Sequence, residues 1–378
     1  MSPDFYETVI VGAGISGLAC AKKLSENEND FIIIDDKIGG RILTSKDENT
    51  NYGAFFICSD YHNFLKYATI KSRIKLSDFC FHKDNKTYKL YELSLIPYFI
   101  QFYKVKKLLY KFRKSLRILR QNSENISQKK AIENDSFLYK LYMQTGLDFV
   151  KKQKLMKGTE KYLSQALYST TFSQISEMNA FSFLQFLIPL ITPIYTFNFE
   201  KERIINSFKN RILKGLVNNI ERKNDKYYIK TEKKIIHSKN IVFATHIDWS
   251  KKFLNIKKTN IPVATNMIHL RGIPRFNYTN KLYHLFTPPY NTQSIANLND
   301  GTFLYYFKNK PPNLDVFFKD YEIIGQHYWN PAGTINGHVL IESNRGKNQY
   351  LIGDYNIAGL EESYITGIYA ANQIIKSE

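Results

Sequence analysis

Three glycines and one carboxylate form the part of this chain whose spacing could do chemistry. Gly12, Gly14 and Gly17 fall in the run Gly12-Ala13-Gly14-Ile15-Ser16-Gly17, which fits G-x-G-x-x-G, and Asp35 lies 23 positions after Gly12. The first glycine of such a run allows a tight turn, the second lets backbone approach a pyrophosphate, and the third lets a helix pack close to a strand. An acid at that distance can accept a hydrogen bond from a ribose 2′-hydroxyl. The chemistry is therefore dinucleotide binding, with Asp36 as the alternative acceptor beside Asp35.

The elements that must position these groups are legible on either side. Val9-Ile10-Val11 is an apolar, β-branched run suited to a strand buried on both faces of a parallel sheet. A helix follows with Leu18, Ala19, Ala21 and Leu24 on its apolar face, and its N-terminus aims free N–H groups at the phosphates. Phe31-Ile32-Ile33-Ile34 is a second buried strand, closed by Asp35.

Further motifs narrow the dinucleotide. Gly39-Gly40-Arg41 follows the second strand, and Asn51-Tyr52-Gly53-Ala54 comes after a short polar excursion. Near the other end, Tyr350-Leu351-Ile352-Gly353-Asp354 reads as a strand, and Gly359-Leu360 opens a small-residue helix running to Ala371. In the middle, Lys214 to Ile220, with Val217 at its centre, begins a strand pair that continues through Tyr227 to Lys230, and Asn240 to Thr245 forms an apolar strand ending in Ala244-Thr245. Together these segments resemble the flavoprotein superfamily of flavin-containing amine oxidases, protoporphyrinogen oxidase and phytoene desaturases. The resemblance implies FAD as cofactor. It places Gly39, Gly40 and Arg41 by the pyrophosphate and Gly53-Ala54 by the flavin. Val217 falls by the adenine, Ala244-Thr245 by the dinucleotide, Gly353-Asp354 by the ribityl and phosphate portion, and the helix opened by Gly359-Leu360 by flavin O2. Three departures stand out: the link from Asp35 to Gly39 is short and lacks the customary arginine, Glu200-Lys201-Glu202 replaces a Gly-Gly pair, and Ala358 stands where amine oxidases carry an aromatic.

The implied fold is α/β, a discontinuous Rossmann-like FAD-binding domain (residues 1–70, 200–250 and 336–378) with an inserted α+β substrate domain (71–199 and 251–335). The implied reaction is passage of a hydride from a C–C or C–N bond to flavin N5, a chemistry that the cofactor carries and the protein orients. Two other classes share the motifs: a non-redox, mutase-like flavoprotein acting on a sugar nucleotide, and a binding protein that holds FAD without turnover. No catalytic side chain can be named. Eight histidines show no ligand spacing, so no metal site is expected.

At 378 residues the chain can hold two domains. Lys+Arg 53 against Asp+Glu 34 gives a net charge of +19, part of which an AT-rich coding bias would explain. No specific nucleic-acid partner is expected, and oligomeric state is left open. Cys20, Cys58 and Cys80 are widely spaced, which suits a reducing, cytoplasmic setting, and residues 1–8 show no secretory signal.

Between the motifs, Tyr61 to Thr69 reads as a short helix, residues 79–91 as a β-hairpin about Asp84-Asn85, and Gln121 to Ser136 as a loop. Phe102, Val105, Leu109, Phe112, Leu116 and Leu119 form one helical stripe over Phe102 to Arg120. Lys104, Lys106, Lys107, Lys111, Arg113, Lys114, Arg117 and Arg120 fill the remainder, a solvated face or one that docks on an anionic membrane surface. Ala180 to Phe199 is the most apolar stretch; Pro189 and Pro193 argue against a spanning helix and for an internal helix lining an apolar cavity. A hydrophobic small-molecule substrate of protoporphyrinogen, carotenoid or lipid type suits that wall. Further on, strands at Lys281 to Phe286 and Thr302 to Phe307, turns at Pro288-Pro289 and Pro311-Pro312, and a helix at Leu314 to Ile324 are expected.

Overall fold

Val9, Ile10 and Val11 offer no polar side chain to solvent, and all three are buried in the middle of a sheet. The computed structural model describes residues 4–84, 86–275, 281–287 and 291–377. Strand β1 (Asp4–Val11) pairs in parallel with β2 (Phe31–Asp35) on one side and with Ile235–Phe243 on the other. Helix α1 (Ile15–Glu26) makes the crossover between β1 and β2. Ile212–Lys214 adds beyond β2, Lys226–Thr231 and Val217–Lys223 add beyond Ile235–Phe243, and Gln349–Leu351 pairs in parallel with that same strand. Segments from three separate parts of the chain thus share one sheet of 7 strands.

A second sheet, also of 7 strands, runs in the order Phe318–Asn336, Ile261–Pro274, Thr302–Phe307, Thr292–Asn297, Tyr283–Phe286, Phe79–Lys83, Lys86–Lys89. A 3-stranded sheet joins Ile57–Cys58, Ile194–Phe199 and Ala68–Ile74. The longest helix among the described residues is α2 (Phe99–Asn122), which buries Val105, Leu109, Phe112, Leu116 and Leu119 as its stripe dictates. The last helix, Leu360–Ile375, crosses α1 at Gly367, where an added Cβ would lie 2.1 Å from the Ser16 carbonyl oxygen and 2.8 Å from the Ala19 Cβ. Only a hydrogen fits there.

Several local expectations are corrected. Ala180 to Phe199 is no single helix: it divides into the helix Ala180–Phe186, a 3₁₀ turn Ile188–Leu190 and the strand Ile194–Phe199. Pro189 and Pro193 lack the N–H donors a continuous helix needs. Leu314 to Ile324 is not helical either. A 3₁₀ turn Leu314–Val316 leads into the long strand Phe318–Asn336, paired antiparallel with Ile261–Pro274. The helix-like spacing of Leu314, Phe317, Phe318 and Tyr321 yields there to cross-strand packing. Tyr61 to Thr69 holds only a 3₁₀ turn, Phe64–Tyr67, before the strand Ala68–Ile74. The polar segment after α2 contains the helix Gln128–Glu133, whose Lys130 N–H is capped by the Ser127 hydroxyl. The 79–91 hairpin forms as Phe79–Lys83 and Lys86–Lys89. Asn85 and Pro288-Pro289 lie outside the described residues.

Candidate active site

The three N-terminal glycines do different work. Gly12 sits at φ +108°, and a Cβ there would fall 2.6 Å from the Ala244 carbonyl oxygen. A Cβ on Gly17 would fall 2.0 Å from the Gly12 carbonyl oxygen. Both glycines are therefore required by the protein's own packing. Gly14 differs, because no atom comes within 4 Å of where its Cβ would be. That space is the cradle a pyrophosphate needs.

The Gly-Gly turn closes over the same place. Gly39 N–H donates to the Ala13 carbonyl at 2.9 Å, and a Cβ on Gly40 would stand 3.0 Å from the Gly14 Cα. Asp35 Oδ2 accepts from Ala13 N–H at 2.5 Å, while Oδ1 accepts from Asp36 N–H at 2.8 Å. Burial pushes the Asp35 carboxyl up, with the Ala13 hydrogen bond pulling against it.

These groups open onto a cavity of about 830 Å³. Of the residues singled out in the sequence, all but Ala13, Gly17 and Asp36 line it. Ala13 lies buried and Asp36 points out exposed. Ile15, Ser16, Gly53, Ala54, Val217, Ala244, Thr245, Gly359 and Leu360 thus meet Gly12, Gly14, Asp35 and the Gly39–Arg41 turn around one space. Arg41 and Asp354 are bound to each other, Nη1 to Oδ2 and Nη2 to Oδ1, both at 2.7 Å. Such a bidentate pair has both charge and fixed geometry.

Burial alone would raise the Asp354 carboxyl, but the Arg41 charge and hydrogen bonds outweigh it and hold the group below its ordinary 3.8. The folded chain binds this proton more weakly than the unfolded one. Its contribution is complete above about pH 4 and is lost as pH falls through the lowered value. Asp354→Asn is expected to melt lower than the parent at neutral pH and to lose less on acidification below about pH 4. Melting curves of both proteins across that range check it; parallel acid profiles would remove the assignment.

Away from the glycines the cavity turns apolar, lined by Phe79, Phe81, Leu90, Phe102, Ile188 and Leu285. Ala358 offers no ring, yet Phe172, Tyr306 and Trp329 enter the cavity from other elements. Tyr306 donates its hydroxyl to the Tyr52 carbonyl at 2.7 Å, and the Tyr52 hydroxyl meets His269 Nδ1 at 2.9 Å. Glu200 to Glu202 opens the short helix Lys201–Ile205, and Glu200 accepts from the Thr69 hydroxyl at 2.6 Å.

A buried charge cluster was missed in the sequence. Arg120, counted there with the solvated basic face, has a side chain only 12% exposed. Its Nε and Nη2 donate to Glu362 Oε1 at 3.0 and 2.7 Å, and it lines the cavity beside Asp60 and Tyr61. Neighbouring Glu361 accepts from the backbone N–H groups of His62, Asn63 and Phe64 at 2.8–3.0 Å. Two acids opening an otherwise apolar helix, and an arginine four residues after the stripe's Leu116, were the available signals. Also invisible in spacing is the approach of Cys80, His82 and His284, whose ligand atoms lie within 4.8 Å of one another.

Glycine turn, parallel strands and acid define a dinucleotide-binding Rossmann-like domain, and residues 10–69 match the NAD(P)-binding Rossmann-like domain family. The chain as a whole shares its fold with solved structures that include a putative protoporphyrinogen oxidase from Exiguobacterium, with TM-score 0.64 at 11% identity over 100% of both chains. It is 37% identical over 54 residues to the flavin-containing amine oxidase A of Equus caballus, a match covering 14% of this chain and 10% of that protein. Among solved structures, a putrescine oxidase redesigned at its cofactor site superposes with TM-score 0.70 at 10% identity, over 99% of both chains. A fatty acid isomerase from P. acnes that produces CLA also gives 0.70, at 12% identity over 98% of both chains.

Proposed function

We propose that this chain is an FAD-dependent oxidoreductase acting on an apolar substrate. When bound, FAD supplies a hydride acceptor at N5 for a C–C or C–N bond. The carrying observation is one continuous cavity with open backbone at Gly14 at one end and an apolar wall at the other. The chain's own residues would bind and orient. Gly14 and the α1 N-terminus receive phosphates, Asp35 a ribose, and the N-terminus of Leu360–Ile375 partial negative charge on the ring. Phe79, Phe81 and Leu285 exclude water from the substrate.

Anaerobic mixing of the FAD-loaded protein with a panel of apolar porphyrinogen, polyene and lipid substrates and of short polar amines tests this. Bleaching of the flavin by an apolar member is expected. Bleaching by polar amines alone would overturn the substrate class, and a folded protein that cannot be loaded with FAD would overturn the cofactor.

Peripheral membrane docking belongs to the same proposal. No helix among the described residues is long and apolar enough to cross a membrane. Leu93 is 84% exposed, and Phe99 and Ile100 are each 70% exposed, directly before the exposed Lys104, Lys106, Lys107 and Lys111. Leu90 and Phe102, which flank this apolar patch in sequence, line the cavity. A basic and apolar surface at the substrate wall supports uptake from an anionic leaflet, each Lys contributing about 1 kcal/mol. Co-sedimentation with anionic vesicles at low salt is expected to exceed that with neutral ones. It should fall when Lys104, Lys106, Lys107 and Lys111 become Gln; binding indifferent to lipid charge would remove this part alone.

A further inference from the structure

We propose that Cys80, His82 and His284 form a binding site for one zinc-class cation, on the face of the second sheet turned away from the cavity. The strands Phe79–Lys83 and Tyr283–Phe286 pair in parallel, with His284 opposite Cys80 and Phe286 opposite His82. Alternate residues on a strand face opposite sides. Phe79, Phe81, Tyr283 and Leu285 accordingly enter the cavity, while Cys80, His82 and His284 do not. The three sites that approach are a thiol and two imidazoles, a donor set suited to a borderline-soft divalent ion.

The surroundings fit a ligand set. Cys80 and His284 are fully buried, and His82 is partly exposed, giving a cation a way in. His82 Nε2 and His284 Nδ1 face each other at 2.9 Å. His82 Nδ1, the nitrogen turned away, meets the Thr87 hydroxyl at 3.3 Å, and His284 is held by a hydrogen bond to the Lys281 backbone. Outer contacts of this kind orient metal-binding imidazoles and fix their tautomer. Phe286 stacks on the His82 ring with centroids 4.5 Å apart, keeping it from turning away.

In a tetrahedral zinc site, bonds of about 2.0–2.1 Å to nitrogen and about 2.3 Å to sulfur hold the ligand atoms roughly 3.3–3.6 Å apart. The two rings must therefore separate by about 0.4 Å, and the sulfur, which lies within 4.8 Å of both nitrogens, must close to about 3.6 Å. The proton between the facing nitrogens passes to the outer nitrogen of the ring that carries it, Nδ1 of His82 or Nε2 of His284, and the Cys80 thiol loses its proton to solvent. One proton is released for each cation bound, and three protein ligands leave a fourth position for water. Bound there, the cation would tie the 79–89 hairpin to the strand that carries Leu285, and so fix one wall of the cavity.

The test is equilibrium dialysis of the EDTA-stripped protein of residues 1–378 against buffered Zn²⁺ under reducing conditions, with metal analysis and zinc-edge X-ray absorption. One zinc per chain with a mixed sulfur and nitrogen shell is expected. Cys80→Ser and the milder His82→Gln should weaken binding by at least about tenfold, and Thr87→Val by about tenfold through its loss of orientation. Cys58→Ser should bind as the parent does, and unchanged near-UV circular dichroism shows which variants kept the fold. No bound zinc, a shell without sulfur, or equal binding by folded His82→Gln would overturn the site.

Discussion

Gly14→Val is expected to give a folded protein that no longer retains FAD. The backbone at Gly14 is ordinary, with φ −70° and ψ 175°, and nothing lies within 4 Å of the position a Cβ would take. A valine there costs the fold little and fills the space that the pyrophosphate needs. Gly17→Val is expected to do the reverse. Its Cβ would lie 2.0 Å from the Gly12 carbonyl oxygen, so α1 must lift away from the strand, at a cost of about 3 kcal/mol or more. Thermal melting of the cofactor-free proteins, with FAD released on denaturation measured separately, distinguishes the two. A Gly14→Val protein that keeps stoichiometric FAD would show that the cradle is not where the cofactor lies.

The second large effect is expected at Arg120. Glu362 is fully buried, and burial pushes its carboxyl above the usual range against the pull of the Arg120 charge. Arg120→Met removes the partner and leaves a buried acid to be neutralised. Breaking a buried pair in this way costs about 3–5 kcal/mol. Arg120→Met with Glu362→Gln should recover most of that loss, because no unpaired charge remains. Denaturant midpoints of the two single variants and the double variant measure the coupling. A single-variant loss below about 1 kcal/mol would mean that the pair is incidental to stability.

Much of this site could be read from the chain because it is written in local spacing. Gly12, Gly14, Gly17 and Asp35 sit on one strand–helix–strand unit whose geometry their own order dictates. The Gly39–Arg41 turn and the Gly353-Asp354 pair likewise lie at strand ends that apolar runs announce. What was missed depends on partners distant in sequence. Arg120 and Glu362 are 242 positions apart, and the place of Arg120 four residues after Leu116 hints at an inward face without naming the partner that it meets there. Cys80 and His284 meet only because two strands pair in parallel, a register that spacing within either strand does not encode. Leu314 to Tyr321 misled for the opposite reason: its local period is helical, and a long partner strand overrides it.

The crossing of α1 and the last helix at Gly367 also bears on the order in which the protein is made. Ser16 leaves the ribosome early and Gly367 late, and the intervening stretch of roughly 350 residues takes about 18–70 s to synthesise at about 5–20 residues per second. For most of that interval the glycine turn lacks residues that complete its cavity, since Gly353 and Leu360 emerge only near its end. Until Gly367 arrives, α1 lacks the helix that packs against its Ser16 and Ala19 face.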